Sequence, residues 1–417
     1  MSTDAITTFF NTRPVSRDTV HDRLRGTIFG GALGDTIGLY TEFLSKDLAR
    51  QAYPDGKFQL VEPVTAFEAD TGWTDDTDHA LLILLSYLHN NGRLDPVDFA
   101  HRLQFWVEQG LRCLDRLPLG LGRTVGQVVC DKNFLNGPAE TAYRKWDKAK
   151  RNAAANGSLM RTYPLGIMCF DKPLEETFEI ARDFSFVTHA DPRCIVSCCL
   201  VTALIRGILR EEVLTESDVD KLIEMSLTWT ESWISKQNSL ESADRYTPID
   251  RDEFRKHAFA QSLEGLQLDD AMKMGYVYKA LGASILLLRQ GLRRSSSSDP
   301  PSLFEDLITD LIMEGGDADT NAAVAGSLLG TLIGYNELPA KWRDGVMHAG
   351  WLLKKCDALA SVTMIEPLSE PYNGKDDPDT GLEGGKPRLT LPELHQRERE
   401  FSERWLRASS EAFLLGK

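Results

Sequence analysis

The sequence contains no long uninterrupted hydrophobic run. Its longest stretch without a charged residue extends from Thr320 to Asn336, which is shorter than the roughly 20 residues that a bilayer-spanning helix needs. The first residues, MSTDAITTFFNTRPVSRD, lack the apolar core of a signal peptide. We therefore expect no transmembrane segment and no membrane partner.

Cysteine is scarce and follows no known pattern. The chain has 7 Cys in 417 residues, and no CxxC pair occurs. Cys194, Cys198 and Cys199 have apolar neighbours, which favours buried, reduced thiols over a zinc site or a disulfide framework. This cysteine usage predicts a cytoplasmic or nuclear protein.

The sequence has fewer basic than acidic residues. Lys and Arg number 47 against 62 Asp and Glu, so the formal net charge is −15. Such a surface repels nucleic acid and anionic lipid, and we expect no nucleic-acid partner. The sequence also lacks a GxxxxGK phosphate loop and any recognisable Ser-His-Asp or Cys-His triad.

Alternating strand patterns are scarce, and helical periodicity dominates. Apolar residues recur at three- and four-residue steps in most segments, for example in HALLILLSYL after Asp75-Asp76. This pattern predicts an all-α fold, a compact multi-helix bundle.

The length alone allows about two or three domains, and we expect a monomer. Three segments rich in Ser, Pro, Gly or acidic residues are expected to be insertions or loops, and an amphipathic helix should close the chain by packing back on the body. The predicted divisions are a tail at 1–20, a main domain at 21–365 with insertions near 237–250 and 292–302, an acidic Pro/Gly-rich loop at 366–390, and the closing helix at 391–417.

Glycines recur every four residues in two stretches, 26–38 and 326–334. On a helix this spacing places them in one stripe. Each glycine costs a helix roughly 1 kcal/mol against alanine, so another interaction must offset that cost. Close helix–helix approach is the natural candidate, and we predict two tightly packed helices at the centre of the body.

Acidic clusters follow the first stretch and precede the second, at 72–78 and 315–321. The residues concerned are Asp75, Asp76 and Asp78 in the first and Asp317 and Asp319 in the second. Helix capping would explain one aspartate in each cluster, but not all of them. Like charges this close repel unless a cation neutralises them, and hard oxygen ligands suit Mg²⁺ or Mn²⁺. Spacing alone leaves both interpretations open and does not place the two clusters side by side.

Several motifs, in order, resemble those of one enzyme family. They are GTIFGGALGDTIGLYTEF (26–43), WTDDTDHALLI (73–83), NGSLMRTYPLGI (156–167), THADPRCIVSC (188–198) and GGDADTNAAVAGSLLG (315–330). Together they resemble the ADP-ribosylglycohydrolases. Because the motifs run through residues 26–330, the resemblance also favours a single domain over that span.

The resemblance implies an all-α fold with a central two-metal site that holds Mg²⁺ or Mn²⁺. The metal ligands it implies are Thr74, Asp75, Asp76, Asp317, Asp319 and Thr320, and the catalytic residues are Glu42, Asp75 and Asp76. The implied substrate-binding residues are Asn156, Gly157, Ser158 and His189. An extended Asp317-Ala318-Asp319 stretch would turn both carboxylates to one side.

Some residues within the motifs allow two interpretations. Asp78 and His79 depart from the family pattern; the added carboxylate either modifies the metal site or only caps a helix. His189 either contacts the substrate or caps the helix that starts near Asp191. Gly157 either lets the backbone approach a ligand or only permits a turn with positive φ.

The function implied is a metal-dependent hydrolase that cleaves the ribose C1″ bond of ADP-ribosylated protein side chains. One alternative is a hydrolase of a small ADP-ribose derivative, either acetylated or phosphorylated. A non-catalytic ADP-ribose-binding protein ranks last, because every implied metal-ligand position is filled by a suitable residue.

Overall fold

The fold is built from helices. The computed structural model describes residues 3–60, 72–240, 244–294, 300–367 and 372–414. Over these ranges the only β pairing is two isolated bridges, Leu111 with Arg116 and Ala155 with Tyr276. The predicted all-α class is confirmed.

The α-helices are numbered in chain order over the described residues. They are α1 Thr3–Thr12, α2 Arg17–Gly38, α3 Lys46–Ala52, α4 Asp75–His89, α5 Pro96–Gln109, α6 Arg123–Val129, α7 Pro138–Lys148, α8 Tyr163–Met168, α9 Leu174–Phe186, α10 Pro192–Leu209, α11 Glu216–Ser239, α12 Arg251–Ala258, α13 Val277–Arg294, α14 Pro300–Ile312, α15 Ala318–Ile333, α16 Ala340–Arg343, α17 Ala349–Val362 and α18 Leu391–Leu414.

Helices α2 and α15 form the centre of the molecule, as the glycine stripes predict. A Cβ built on Gly30 would lie 3.0 Å from the carbonyl carbon of Gly326 and 3.1 Å from Cα of Gly330. The hydroxyls of Thr27 and Thr331 meet across the same interface at 2.9 Å. Backbone therefore packs directly on backbone, which fixes the relative position of everything that the two helices carry.

Helix α10 is a long apolar helix of the core. Pro192–Leu209 has a mean hydropathy of 1.7, enough in length and composition to cross a membrane, yet 94% of it is buried inside the protein. Burial of this kind is what the core helix of a globular domain shows. Its first turn follows the loop that carries His189.

The predicted insertions lie partly outside the described residues. Helix α11 continues to Ser239 and residues 241–243 are not described; α13 ends and α14 begins on either side of 295–299, which are not described either. Within 366–390, residues 368–371 are undescribed, but Gly374 packs against the carbonyl of Leu88 and is buried. Thr380 and Gly384 are buried as well, whereas the other described residues of this segment are half-buried or exposed.

The closing helix α18 contacts the body near its start. Arg397 forms an ion pair with Asp115 at 2.6 Å, and the Leu389 N–H donates to the Gln109 side chain at 2.7 Å. These contacts anchor the segment that leads into α18 beside the end of α5.

Candidate active site

Asp35, on the last turns of α2, organises the first acidic cluster, a role the sequence analysis did not assign to it. Its buried carboxylate accepts hydrogen bonds from the N–H and hydroxyl of Thr74, at 2.9 and 3.0 Å, and from those of Thr77, at 2.9 and 2.6 Å. Burial raises the pKa of Asp35 to about 6, against the lowering effect of these hydrogen bonds. The loop before α4 is thus tied to the central helix pair.

Thr74 caps α4, and the next two residues point into a cavity. The Thr74 hydroxyl accepts from the Asp76 N–H at 3.4 Å and also lies 3.2 Å from Asp76 Oδ2. Asp75 faces the loop at Gly120, where an added Cβ would lie 2.6 Å from Asp75 Oδ1. Thr74 provides the N-cap of α4, so the carboxylates of Asp75 and Asp76 are not needed for capping.

The second cluster lies at the start of α15. Asp317 occupies the N-cap position and Asp319 the first helical turn. Gly315 and Gly316, with φ of 69° and 74°, supply the left-handed turn that brings the chain into this position. The expectation of an extended Asp317-Ala318-Asp319 stretch is wrong, because helix α15 begins at Ala318.

The two clusters, far apart in sequence, meet at one place. The Thr74 hydroxyl lies 3.5 Å from Asp319 Oδ2, although the two residues are 245 positions apart. One ligand oxygen each from Glu42, Asp317 and Asp319 lie within 4.8 Å of one another. The helix pair α2–α15 therefore assembles the predicted acidic residues into a single constellation.

Glu42 is held in this constellation by its neighbours in the chain. The Thr41 hydroxyl donates to the Ile312 carbonyl at 2.6 Å, and the Phe43 N–H donates to the Gly316 carbonyl at 2.7 Å. Phe43 has a φ of 60° and a side chain that is 59% exposed at the mouth of the cavity. These hydrogen bonds join the Glu42 segment to the turn that carries Asp317.

Burial and the close approach of several carboxylates raise the pKa values of aspartates in this constellation. Burial, with the neighbouring Asp35 and Asp317, raises the pKa of Asp75 well above its ordinary value. Burial, with Glu42 as the largest charged neighbour, likewise raises the pKa of Asp319. Buried carboxylates that repel one another are stabilised by a positive charge placed among them.

The residues present fit a divalent cation. Asp76 Oδ1 is buried and has no hydrogen-bond partner among the described residues. Together with the close oxygens of Glu42, Asp317 and Asp319, it forms a set of hard oxygen donors of the kind that Mg²⁺ and Mn²⁺ prefer. Thr320, at 3% exposure, lines the same cavity.

A cavity of about 330 Å³ lies over the carboxylates. Its lining includes Glu42, Asp75, Asp76, Asp317 and Asp319, the loop 120–122 and the first residues of α6, residues 155–157, Met160, His189 and Met274. Arg123 is the one Lys or Arg side chain in that lining among the described residues. The cavity thus combines a carboxylate cluster with a wall made largely of loops.

Asn156 and Gly157 lie on this wall, but Ser158 lies behind it. Asn156 Nδ2 donates to Asp317 Oδ2 at 2.7 Å, so this side chain orients one of the carboxylates. The Ser158 hydroxyl is 1% exposed, accepts from Ser185 at 3.0 Å and does not line the cavity. The prediction that Ser158 contacts a ligand is corrected on that ground.

Gly157 permits a close approach and not a left-handed turn. It is absent from the residues with positive φ. A Cβ here would lie 3.1 Å from His189 Cε1 and 3.3 Å from Val125 Cγ2. Because the φ of Gly157 is not positive, the alternative in which it only serves a left-handed turn is wrong. The space beside its Cα is taken by the side chains of His189 and Val125.

Most of the chain matches one known protein family. The family model for ADP-ribosylglycohydrolases matches residues 16–367. The chain belongs to the ADP-ribosylglycohydrolase family. The prediction of a hydrolase of this family is confirmed at that level.

Relatives within the family share about a quarter of their residues with this chain. The chain is 26% identical to "ADP-ribosylarginine hydrolase Tri1" of Serratia proteamaculans, over 78% of this chain and 76% of the relative. It is 25% identical to human "ADP-ribosylhydrolase ARH3", over 77% and 88%. It is 22% identical to "ADP-ribosyl-[dinitrogen reductase] glycohydrolase" of Rhodospirillum rubrum, over 78% and 90%.

A solved structure supports the fold. The chain superposes on an "ADP-ribosylglycohydrolase-related protein complex" with a TM-score of 0.53 and 22% identity, covering 83% of this chain and all of the other. At that identity the likeness establishes the shared fold.

Asp78 and His79, for which the sequence left two interpretations open, lie away from the cavity. Asp78 is fully buried; its two oxygens accept from the indoles of Trp73 and Trp106, each at 2.8 Å, and Arg116 Nε lies 3.7 Å away. His79 is also fully buried and packs edge-on against Trp106. Asp78 therefore neither joins the acidic constellation nor caps α4; it joins α4 to α5 and to the loop that carries Arg116.

His189 lies on the turn before α10 and lines the cavity. Asp191, and not His189, caps that helix, since the Asp191 side chain accepts from the Arg193 N–H at 2.9 Å. His189 is 2% exposed and its Nε2 has no hydrogen-bond partner among the described residues. The capping alternative is thus wrong, and the ring is part of the cavity lining.

Proposed function

We propose that this ADP-ribosylglycohydrolase removes ADP-ribose from a protein side chain by cleaving the bond to ribose C1″, with two divalent cations, Mg²⁺ or Mn²⁺, as cofactors. The observation that carries the proposal is the convergence of Glu42, Asp75, Asp76, Asp317 and Asp319 at one cavity. The names of the relatives, which specify ADP-ribosylarginine and ADP-ribosylated dinitrogen reductase, support a protein substrate.

Thr74, Asp75 and Asp76 on one side, and Asp317, Asp319 and Thr320 on the other, would hold the cations. Cations bound there would supply the positive charge that fixes the ribose hydroxyls and lowers the pKa of a water. Asn156 keeps Asp317 oriented through its 2.7 Å hydrogen bond, and Asp35 keeps Thr74 in place. The site is thereby positioned before the substrate arrives.

The chain's own carboxylates suit the chemistry of the step. Cleavage at an anomeric carbon develops positive charge on the ribose ring, and nearby carboxylates stabilise that charge. The Glu42 carboxylate, held between Thr41 and Phe43, is the base that we assign to the proton of the attacking water. Arg123, in the same cavity lining, offers a positive charge to the diphosphate.

The metal proposal is tested by substitution and by chelation. Asp317→Asn should abolish hydrolysis and remove the thermal stabilisation that Mg²⁺ gives, with little change in melting temperature in EDTA. Asp344→Asn changes an exposed carboxylate outside the cavity and is the matched control. Full turnover by Asp317→Asn, or turnover by wild-type protein in EDTA, would refute metal dependence.

The substrate is tested with a panel. ADP-ribosylated arginine and serine peptides are compared with acetylated and phosphorylated ADP-ribose under identical Mg²⁺ concentrations. Release of ADP-ribose from a peptide supports the protein substrate and identifies the acceptor. Turnover of only the small derivatives would instead establish the alternative function.

We also propose that the protein works as a monomer in the cytoplasm or nucleus. The cysteines are free, and Cys169, Cys194, Cys198, Cys199 and Cys356 are buried. Thiol titration of the denatured, unreduced protein should find all 7 Cys free. A stable disulfide in protein purified from its own cell would contradict this compartment.

A further inference from the structure

A short chain of buried polar groups lies behind His189. Arg161 Nη2 donates to the Thr188 hydroxyl oxygen at 2.8 Å, and that oxygen lies 2.8 Å from His189 Nδ1. Arg161 and Thr188 are each 1% exposed. The same Arg161 nitrogen donates to the Phe184 carbonyl at 3.1 Å, which anchors the guanidinium.

The direction of each hydrogen bond follows from the donors available. A guanidinium can only donate, so the Thr188 oxygen is the acceptor in its contact with Arg161. Within the described residues, the remaining partner of the Thr188 hydroxyl is His189 Nδ1. The single hydroxyl proton therefore goes to Nδ1, because a buried O–H without an acceptor is strongly disfavoured.

Nδ1 of His189 is thus an acceptor, and a neutral imidazole then carries its proton on Nε2. Burial, with the positive Arg161 nearby, lowers the pKa of His189 to about 3, so the ring is neutral at physiological pH. Nε2 lies 3.4 Å from where a Cβ of Gly157 would be, on the wall of the cavity.

We propose that Arg161 and Thr188 are positioning residues that fix His189 as an Nε2–H donor, aimed at an acceptor oxygen of the bound ADP-ribose. The identity of the ligand rests on the proposed function. The direction of the proton rests only on the contacts of Arg161, Thr188 and His189.

Nuclear magnetic resonance of the ¹⁵N-histidine-labelled protein tests the direction. Long-range ¹H–¹⁵N correlations distinguish the nitrogen that carries the proton, and His189→Gln identifies which signal belongs to His189. We expect Nε2–H in the wild-type protein. Nδ1–H there would overturn the proposal, whatever the protein's substrate is.

A matched pair of variants tests the cause. Thr188→Asn keeps one acceptor for Arg161 and one donor for His189, so Nε2–H should persist. Thr188→Asp only accepts, so Nδ1 of His189 must carry a proton, and at a pH where the ring is neutral Nε2 then presents a lone pair to the ligand. Calorimetry should then show about tenfold weaker ADP-ribose binding by the Asp variant than by the Asn variant.

Folding of both variants is checked by thermal melting. If Thr188→Asp does not fold, Arg161→Met serves: without the guanidinium the Thr188 hydroxyl can either donate to Nδ1 or accept from Nδ1–H, so both tautomers should appear. The same tautomer in the Asn variant and in the Asp or Met variant would overturn the proposal. If the variants show the tautomer switch but the wild-type protein binds no ADP-ribose, the result contradicts the proposed function and leaves the tautomer assignment standing.

Discussion

The glycine stripe of α2 makes a quantitative prediction for Gly30→Ala. The nearest obstacle to the new Cβ is the Gly326 carbonyl oxygen, with which it would overlap; the Gly326 carbonyl carbon and the Gly330 Cα would lie at 3.0 and 3.1 Å. Favourable carbon–carbon separations are about 3.5–4.0 Å, and all of these obstacles are backbone atoms that no rotamer change can move. The two helices must therefore separate by up to about 1 Å.

The energetic cost follows from two opposing effects. Overpacking of this kind costs about 1–3 kcal/mol, and the upper end applies because the obstacle is backbone. The gain in helix propensity from glycine to alanine returns roughly 1 kcal/mol. We expect a net loss of about 2 kcal/mol. At about 2.1 cal/mol/K per residue, the 417 residues give an unfolding entropy of roughly 0.9 kcal/mol/K, hence a fall of about 2 °C in melting temperature.

The same shift should reach the active site. Helix α2 carries Asp35, which holds Thr74, whereas α15 carries Asp319. Separation of the helices lengthens the distance between the two acidic clusters, so Mg²⁺ affinity should fall about tenfold or more. Differential scanning calorimetry and Mg²⁺ titration measure the two effects on one preparation.

Gly350→Ala is the matched control for Gly30→Ala. Gly350 lies in helix α17, and an added Cβ there meets no atom within 4 Å. This variant should gain about 0.5 kcal/mol and bind Mg²⁺ as the wild type does. Gly30→Ala protein that melts at or above the wild-type temperature would refute the argument that close packing offsets the cost of glycine.

Other residues give predictions of the same kind. Asp78→Asn should cost about 3–5 kcal/mol in denaturant unfolding, because Arg116 loses its buried partner, while Mg²⁺ affinity stays unchanged; a drop in that affinity would place Asp78 in the metal site after all. Gly157→Ala should displace the His189 ring by a few tenths of an ångström and weaken ADP-ribose binding several-fold in calorimetry; normal affinity would contradict the close-packed wall. Because the pKa of Asp75 is raised in the folded, metal-free protein, this carboxyl keeps its proton above pH 3.8, where the unfolded chain releases it. The free energy of unfolding of the metal-free protein therefore falls as the pH rises above 3.8. The thermal stabilisation by Mg²⁺ relative to EDTA should accordingly be larger at pH 8 than at pH 5, and the reverse order would refute this linkage.

Local patterns were enough to predict the helices and the central pair. Glycine at every fourth position lowers the stability of a helix, so this spacing indicates that another helix backbone packs closely against the glycine stripe and offsets the loss. The all-α class followed from periodicity in the same way. The apolar periodicity and the glycine spacing are each carried by residues close together in sequence, although the two glycine helices are far apart along the chain.

The contacts of individual carboxylates could not be predicted from the sequence. Asp35 is a lone acid in a glycine-rich helix, and its role depends on Thr74 and Thr77, which lie 39 and 42 residues away. Asp78 finds Trp106 28 residues further on. Spacing reports which side chains share a helix face, but not which distant donor meets a carboxylate.

The order of synthesis gives the helix pair a further consequence. Thr27 of α2 and its partner Thr331 of α15 are 304 residues apart, so the N-terminal half of the pair leaves the ribosome long before the other half exists. At roughly 5–20 residues per second, that interval is roughly 15–60 s. Until α15 arrives, α2 has nothing against which to pack its glycine face, and the acidic constellation has only one side. The catalytic centre of this enzyme is therefore among the last parts of the molecule to form, and a chain truncated before α15 would leave the glycine face of α2 uncovered.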